Sequence, residues 1–338
     1  MVALGYQTQV SYKQTSRVKV LFLSIYYPFF LGKYFDRAFH RNPDIDFISC
    51  GPFTGNWMPW MGGMTLPEKY SRPPDIPLPF APDVGRVSYD FVKAQLPQDW
   101  VPDLVIACDA GINWISRPQD GYVITIGTDP HVLDYAHARR ISDRFFNMQL
   151  HYKEPSDFYL PYAYDPTVHY PELWLDTDHP IDMGAGRALL PITVKDTDAV
   201  LVGMPYENRI QWVDELRKHG VSVIFENAPV FDEYRALANR ARIGLNWSSM
   251  QDTNARFFET PAFGLASVMN RTPDGHLFLD EGQDYMAFNS LDEAVEGVLY
   301  LKNNPVKEKE MAFSAQRHIQ GETYDARVDQ ILRECGFA

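Results

Sequence analysis

Cysteine is scarce in this chain: Cys50, Cys108 and Cys335 are the three among 338 residues. An odd number without metal-ligand spacing argues against a disulfide framework and points to a reducing compartment. Long apolar runs are missing too. The most apolar N-terminal stretch, Val20 to Leu31, is too short to span a bilayer and contains Pro28. No basic leader precedes it, so the expectation is a cytoplasmic protein with no signal peptide and no transmembrane segment. Basic charge is also short, with 31 Lys and Arg against 44 Asp and Glu and a net charge of −13. A field of that sign repels polyanions and argues against a general nucleic-acid binder. No phosphate-loop Lys-Ser/Thr motif is present, and the nine histidines show no zinc spacing, so no metal ligands are assigned. Gly184-Ala185-Gly186 imitates a dinucleotide fingerprint but follows no strand.

What remains is a folded composition, 45% hydrophobic and 14% aromatic, long enough for two domains. Val18 to Ser24 is a continuous β-rich run, as a buried parallel strand requires. An amphipathic helix over Leu31 to His40 and a strand over Ile45 to Ser49 complete a β-α-β unit and set the class as α/β. Residues 51–87 read as a long loop without elements of its own. Strands over Leu104 to Asp109 and Tyr122 to Thr128 follow. Residues 165–196 are polar and acidic and read as a linker. A second α/β series starts at Ala199 to Gly203, continues with a helix from about Glu207 to His219, and has strands at Val221 to Phe225 and Ile243 to Trp247. The expected division is therefore residues 1–180 and 190–338, with terminal helices free to pack back on the first domain. Two facing domains of this kind bind ligands between the carboxyl ends of their strands.

The strongest local signal is the stretch Asp252 to Gly264. It follows a strand and is expected to open a helix near Thr253, with Asp252 or Thr253 as cap and the helix N-terminus as an anion site. Arg256 adds a planar cation suited to a diphosphate, and Glu259, three residues on, can accept from two ribose hydroxyls. The plainer reading is a surface Arg–Glu pair on an ordinary amphipathic helix.

The stretch Asn246 to Gly264 resembles the core motif of glycosyl transferases of group 1, and especially their CgeB-like branch. In that branch an Arg precedes a Phe-Glu pair by two residues, as Arg256 precedes Phe258-Glu259, and a run of small residues ends in Gly, here Gly264. Val200 to Gly203 with Arg209 resembles the first strand and helix of the family's C-terminal domain. Leu160 to Pro166 resembles its segment before the domain crossover. The likeness spans most of residues 100–330. The chain departs from the family at Gln251, where many members carry Glu, and at Pro261, which removes a donor inside the expected helix.

The resemblance implies two facing Rossmann-like domains of the GT-B type. It implies transfer of a sugar from a nucleotide diphosphate sugar, such as a UDP-sugar, to a hydroxyl, with retention of configuration and without a metal or other cofactor. Gly203, Arg209, Asn246, Gln251, Thr253, Asn254, Arg256 and Glu259 would form the donor site, and Arg256 would also stabilise the leaving group. In the first domain the family places an Asp or His at the strand end that here reads Asp129-Pro130-His131. Asp129 would serve as base for the acceptor hydroxyl, and His131 would contact the sugar or shuttle a proton. Alternatively, Asp129 caps a helix starting at Pro130. Two other functions stay open: a nucleotide-sugar epimerase or hydrolase of the same fold, and a non-catalytic sugar-binding or coat protein. The acceptor is left open among small molecules, glycans, lipids, proteins and modified nucleic-acid bases.

Overall fold

The structure is a computed structural model that describes residues 17–58, 64–79, 85–108, 111–172, 195–227, 229–248, 250 and 252–337. Its first part builds β1 (Val18–Leu23), α1 (Gly32–Arg41), β2 (Ile45–Pro52), β3 (Trp57–Met58), β4 (Met64–Thr65), β5 (Ile76–Leu78), β6 (Arg86–Val87), α2 (Tyr89–Lys93), β7 (Leu104–Cys108), β8 (Asn113–Trp114), β9 (Tyr122–Gly127), α3 (Ala136–Ile141), β10 (Arg144–Asn147) and β11 (Phe158–Tyr159). The second builds β12 (Thr197–Val202), α4 (Glu207–Lys218), β13 (Val223–Glu226), α5 (Phe231–Asn239), β14 (Ala241–Asn246), α6 (Arg256–Ala262), β15 (Ala266–Asn270), β16 (Tyr285–Phe288), α7 (Leu291–Asn303), α8 (Pro305–His318) and α9 (Tyr324–Cys335).

Two large parallel sheets result. The first has seven strands in the order β11-β10-β9-β7-β1-β2-β5, the second five in the order β13-β12-β14-β15-β16. The chain is thus α/β with two Rossmann-like sheets, as the β-α-β alternation predicts. The apolar runs become strands covered on both faces: Val20 to Leu23 and all of Leu104 to Cys108 are fully buried. Strand order reverses between β1 and β7 in one sheet and between β12 and β14 in the other. These are the points where a doubly wound sheet leaves a crevice beyond its carboxyl ends.

The expectation of an element-free loop over 51–87 does not hold. β5 adds to the first sheet beside β2, Cys50 pairing with Ile76, and β3 and β4 form a small antiparallel hairpin. Pro and Gly hid these short strands, because Pro is tolerated at a sheet edge. β5 is such an edge, and Pro77 sits in it. Of the linker expected over 165–196, residues 165–172 are described and pack into the structure, with Asp165, Val168 and His169 buried; 173–194, where the domain division and Gly184-Ala185-Gly186 fall, lies outside the described residues.

One apolar core runs from sheet to sheet. Phe35 and Phe39 of α1, Phe257 and Phe258 of α6, and Tyr324 and Ile331 of α9 belong to it. α9 lies along α1. Arg41 donates to both Asp325 oxygens at 2.9 and 2.8 Å, and Tyr34 stacks on Tyr324 at 5.2 Å. The buried Arg327 donates to the carbonyls of Pro161 and Tyr162 at 2.9 and 3.1 Å. Among the described residues no helix is long and apolar enough to cross a membrane.

Candidate active site

A cavity of about 440 Å³ opens where the carboxyl ends of the two sheets face each other. From the second sheet it is lined by Gly203 and Arg209 after β12, Asn227 after β13, and Asn254, Arg256 and Glu259 after β14. From the first it is lined by Lys33 and Tyr34 of α1 and by Thr128 and Asp129 after β9. The switch-point rule thus brings together residues far apart in sequence.

Two guanidinium groups dominate its electrostatics. Arg209 is 3% exposed and donates from Nε to the Trp247 carbonyl at 2.8 Å and from Nη1 to the Met204 carbonyl at 3.0 Å. Arg256 donates from Nη1 to the Val202 carbonyl at 2.9 Å and from Nε to Asn246 Oδ1 at 3.2 Å. Among the described residues neither cation forms an ion pair with a carboxylate. Burial, and then the like charge of Arg256, pull the Arg209 pKa down to about 9, which still leaves it charged at neutral pH. Two fixed cations held by carbonyl oxygens, with their remaining donors unused by any carboxylate among the described residues, have the chemistry to hold an anion. Gly203 makes room for them. Its φ is +145°, and a Cβ there would stand 2.6 Å from Arg256 Nη1 and 3.1 Å from Arg209 Nη1.

Asn246 and Thr253 differ from expectation: neither lines the cavity. Asn246 is buried and stands behind Arg256, exchanging two amide hydrogen bonds with Asn254 at 3.1 and 3.2 Å. Thr253 points away, its hydroxyl bonded to Thr272 Oγ1 at 2.7 Å and to the Asp274 carboxylate. Its backbone N–H donates to Gln149 Oε1 at 3.1 Å, tying this loop to the first domain. The helix therefore begins later than predicted. α6 starts at Arg256, has seven residues, and carries no side-chain cap from Asp252 or Thr253. The N–H groups of Phe257, Phe258 and Glu259 already donate to the Asn254 and Ala255 carbonyls. These N–H groups are therefore not free for an anion at the helix N-terminus, and the donors that face the cavity are the guanidinium groups. Pro261 is the second-last residue of α6, where its missing N–H removes one bond from a helix about to end. The helix seats closely because Gly244 of β14 leaves space for Thr260; a Cβ at Gly244 would come within 2.0 Å of Thr260 Cγ2. Gln251 lies outside the described residues.

Glu259 is nearly buried, 6% exposed, at the floor of the cavity. Tyr234 donates its hydroxyl to Oε2 at 3.1 Å, and His169 Nε2 stands 3.5 Å from Oε1. The backbone N–H of Asp165 donates to His169 Nδ1 at 2.9 Å, so the proton of the neutral ring sits on Nε2, facing Glu259 and Tyr34 Oη. Burial lowers the His169 pKa and keeps the ring neutral. Burial, and next the Glu259 charge, push the Tyr34 hydroxyl well above its ordinary range. Glu259 thus accepts from Tyr234 and faces the Nε2–H of His169.

Asp129 lines the opposite wall and accepts from Thr128 Oγ1 at 2.7 Å. It caps no helix: a turn follows, with the Val132 and Leu133 N–H groups on the Asp129 carbonyl, and α3 begins only at Ala136. His131 lies apart from this wall. It does not line the cavity; its ring packs 6.0 Å from Tyr152, with Nδ1 buried and without a hydrogen-bond partner. Sequence reasoning missed Lys33, Tyr34, Asn227, Tyr234 and His169. Asn227 was accessible by rule, since it follows the end of β13, and its Oδ1 is buried without a hydrogen-bond partner. The others come from a helix face or a coil with no local motif.

Comparison with known proteins agrees with this geometry. Residues 187–333 match the model of a family described as glycosyl transferase-like. No curated protein matches the chain by sequence. Among solved structures, an alpha-glucosyltransferase in complex with UDP and a 13-mer DNA containing a HMU base has a TM-score of 0.58 at 9% identity, over 95% of this chain and 99% of that one. Anabaena Alr3699/HepE in complex with UDP and glucose has a TM-score of 0.56 at 12% identity, over 95% of this chain and 100% of that one. A protein from Listeria monocytogenes described as a putative UDP-N-acetylglucosamine 2-epimerase has a TM-score of 0.54 at 12% identity, over 95% of this chain and 97% of that one. At these identities the structures establish the GT-B fold across nearly the whole chain, and the family match falls on the half that carries Arg209, Arg256 and Glu259. Fold and family match together indicate a glycosyltransferase of the GT-B fold.

Proposed function

We propose that the cleft transfers a sugar from a nucleoside diphosphate sugar, with uridine as the nucleoside, to an acceptor hydroxyl. The observation that carries this reading is the pair Arg209 and Arg256, two cations without a carboxylate partner among the described residues, next to the buried Glu259. The guanidinium groups hold the diphosphate and stabilise the charge that grows on it as the glycosidic bond breaks. Glu259 accepts from the ribose hydroxyls. Asn246 and Asn254 position Arg256 from behind. The Asn227 amide faces the base. Asp129, from the opposite domain, takes the proton of the acceptor hydroxyl as that oxygen bonds to the anomeric carbon on the face the diphosphate leaves.

Both UDP-bound neighbours named above support uracil as the base. The finer likeness to the CgeB-like branch rests on the Arg256-Phe257-Phe258-Glu259 pattern, and retention of configuration goes with that likeness. Two fixed cations stand where phosphate charge must be neutralised, so the reading is metal-independent, and EDTA should leave the rate unchanged. The few cysteines suit a cytoplasmic setting.

The test is acceptor-dependent release of UDP from UDP-sugars, with the anomeric configuration of the product read by NMR. Acceptor-dependent release supports transfer. Release with free or epimerised sugar and no acceptor would make the chain a hydrolase or epimerase, the activity named for the Listeria neighbour. Tight UDP binding with no turnover of any donor would make it a binding protein.

A further inference from the structure

Tyr34 of α1 lines the cleft and is 4% exposed. Among the described residues its hydroxyl has one hydrogen-bond partner, His169 Nε2, at 3.2 Å. The other ring nitrogen fixes the direction of that bond. The Asp165 N–H donates to Nδ1 at 2.9 Å, and burial keeps the ring neutral, so Nδ1 accepts and Nε2 carries the proton. A protonated nitrogen cannot accept. Tyr34 Oη is therefore the acceptor in this pair, and its own proton is left for another oxygen.

The bonds behind this hydroxyl start from a rigid base. Asp165 is fully buried, and its carboxylate accepts from Arg37 at 2.9 Å and from Arg41 at 3.2 Å, both of α1. The Tyr34 ring is held on two sides: it stacks on Tyr324 at 5.2 Å and meets the His169 ring edge-on at 5.1 Å. Burial, and next the Glu259 charge, keep its hydroxyl protonated, so it is a neutral donor. Glu259 Oε1 stands 3.5 Å from the same Nε2. A carboxylate that can only accept and a hydroxyl with a proton to give thus meet around one nitrogen. A ribose diol needs both, because each of its hydroxyls has one proton to donate and lone pairs to fill.

We propose that Tyr34 is a further binding residue, donating its hydroxyl proton to an oxygen of the ribose diol whose protons Glu259 accepts, and that His169 is the positioning residue that aims it. The proposal rests on the reading of the cleft as the donor site. Glu259 follows the second sheet and Tyr34 belongs to a helix of the first, so the ribose is held from both sides of the cleft. His169 acts through Tyr34: its Nε2–H occupies the phenolic oxygen and turns the phenolic proton toward the ligand.

The test is calorimetric titration of the full chain with UDP and with 2′,3′-dideoxy-UDP. Wild type should bind UDP the more tightly. Tyr34→Phe keeps the ring and its stacking and removes the proton. It should weaken UDP roughly two- to tenfold, the size of one neutral hydrogen bond, and leave the dideoxy nucleotide unchanged. His169→Leu should act in the same direction, and His169→Gln, whose amide N–H replaces Nε2–H, should restore the preference for UDP. No loss in Tyr34→Phe, or an equal loss for both nucleotides, overturns the role of Tyr34, and this arm stands alone should His169→Leu fail to fold. A wild-type preference in His169→Leu, or a His169→Gln as weak as His169→Leu, overturns the positioning role. Equal binding of both nucleotides by wild type overturns the ribose contact and leaves the diphosphate reading standing. Failure of wild type to bind UDP at all overturns the donor reading itself.

Discussion

Arg209 and Arg256 converge on Gly203, held by backbone carbonyls and the Asn246 amide oxygen and, among the described residues, by no carboxylate. The arrangement depends on a missing side chain. Alanine at 203 would need a left-handed φ of +145° and a Cβ 2.6 Å from Arg256 Nη1. Gly203→Ala should therefore cost about 1–3 kcal/mol of backbone strain and weaken nucleoside diphosphate binding by displacing both cations. Melting temperature and calorimetric affinity for UDP measure the two effects. Unchanged affinity would show that the anion binds elsewhere.

Glu259→Gln removes the charge at the cavity floor while keeping the shape. UDP affinity should fall by about 1–3 kcal/mol, the usual cost of a lost charged hydrogen bond. The loss should shrink for the 2′,3′-dideoxy nucleotide, which has no ribose hydroxyl to offer. An equal loss for both nucleotides would mean that Glu259 is structural, a partner for Tyr234 and His169 alone.

Asp129→Asn should spare UDP affinity and lower kcat, because a base contributed by the opposite domain acts only as the acceptor reacts. Asp129 lies in a turn and caps no helix, so the melting temperature should change little. His131→Ala, outside the cavity, should leave kcat unaffected. Normal transfer by Asp129→Asn would send the search for the base to other groups on the first-domain wall.

The buried His169 gives a signed pH dependence. Its pKa is lowered from 6.5 by burial. Below about 6.5 the unfolded chain takes up a proton there that the folded ring resists, so stability present above that pH is lost as pH falls. His40 acts in the opposite sense: its hydrogen bond to Asp36 raises its pKa, adding stability below 6.5 that is lost as pH rises. Comparing wild type with His169→Gln isolates the first effect. The variant should lose less stability between pH 7 and pH 5, read as midpoints of urea unfolding. Parallel curves would contradict a neutral buried ring.

Much of the fold was legible because parallel strands are apolar on both faces, as in Val20 to Leu23 and Leu104 to Cys108. The family resemblance pointed to Gly203 and the strand-end rule to Asp129, and the structure brings both to one cavity. Legibility failed where side-chain direction decides. Asn246 and Thr253 lie in the motif, yet one backs Arg256 and the other turns to Asp274. Spacing along a loop carries no such direction. Lys33, Tyr34 and His169 reach the site from another domain or from coil, and only tertiary packing reveals that. Short β5 with its internal Pro was hidden by the same residues that mark loops.

The central claim is that Arg209 and Arg256 hold the diphosphate of the donor. Calorimetric titration of wild type, Arg256→Ala and Arg209→Ala with UDP and with uridine tests it most directly. Wild type should bind UDP well above uridine. Each variant should lose roughly tenfold or more of UDP affinity and keep its affinity for uridine. Equal binding of UDP by all three proteins, or no binding by wild type, would contradict the account.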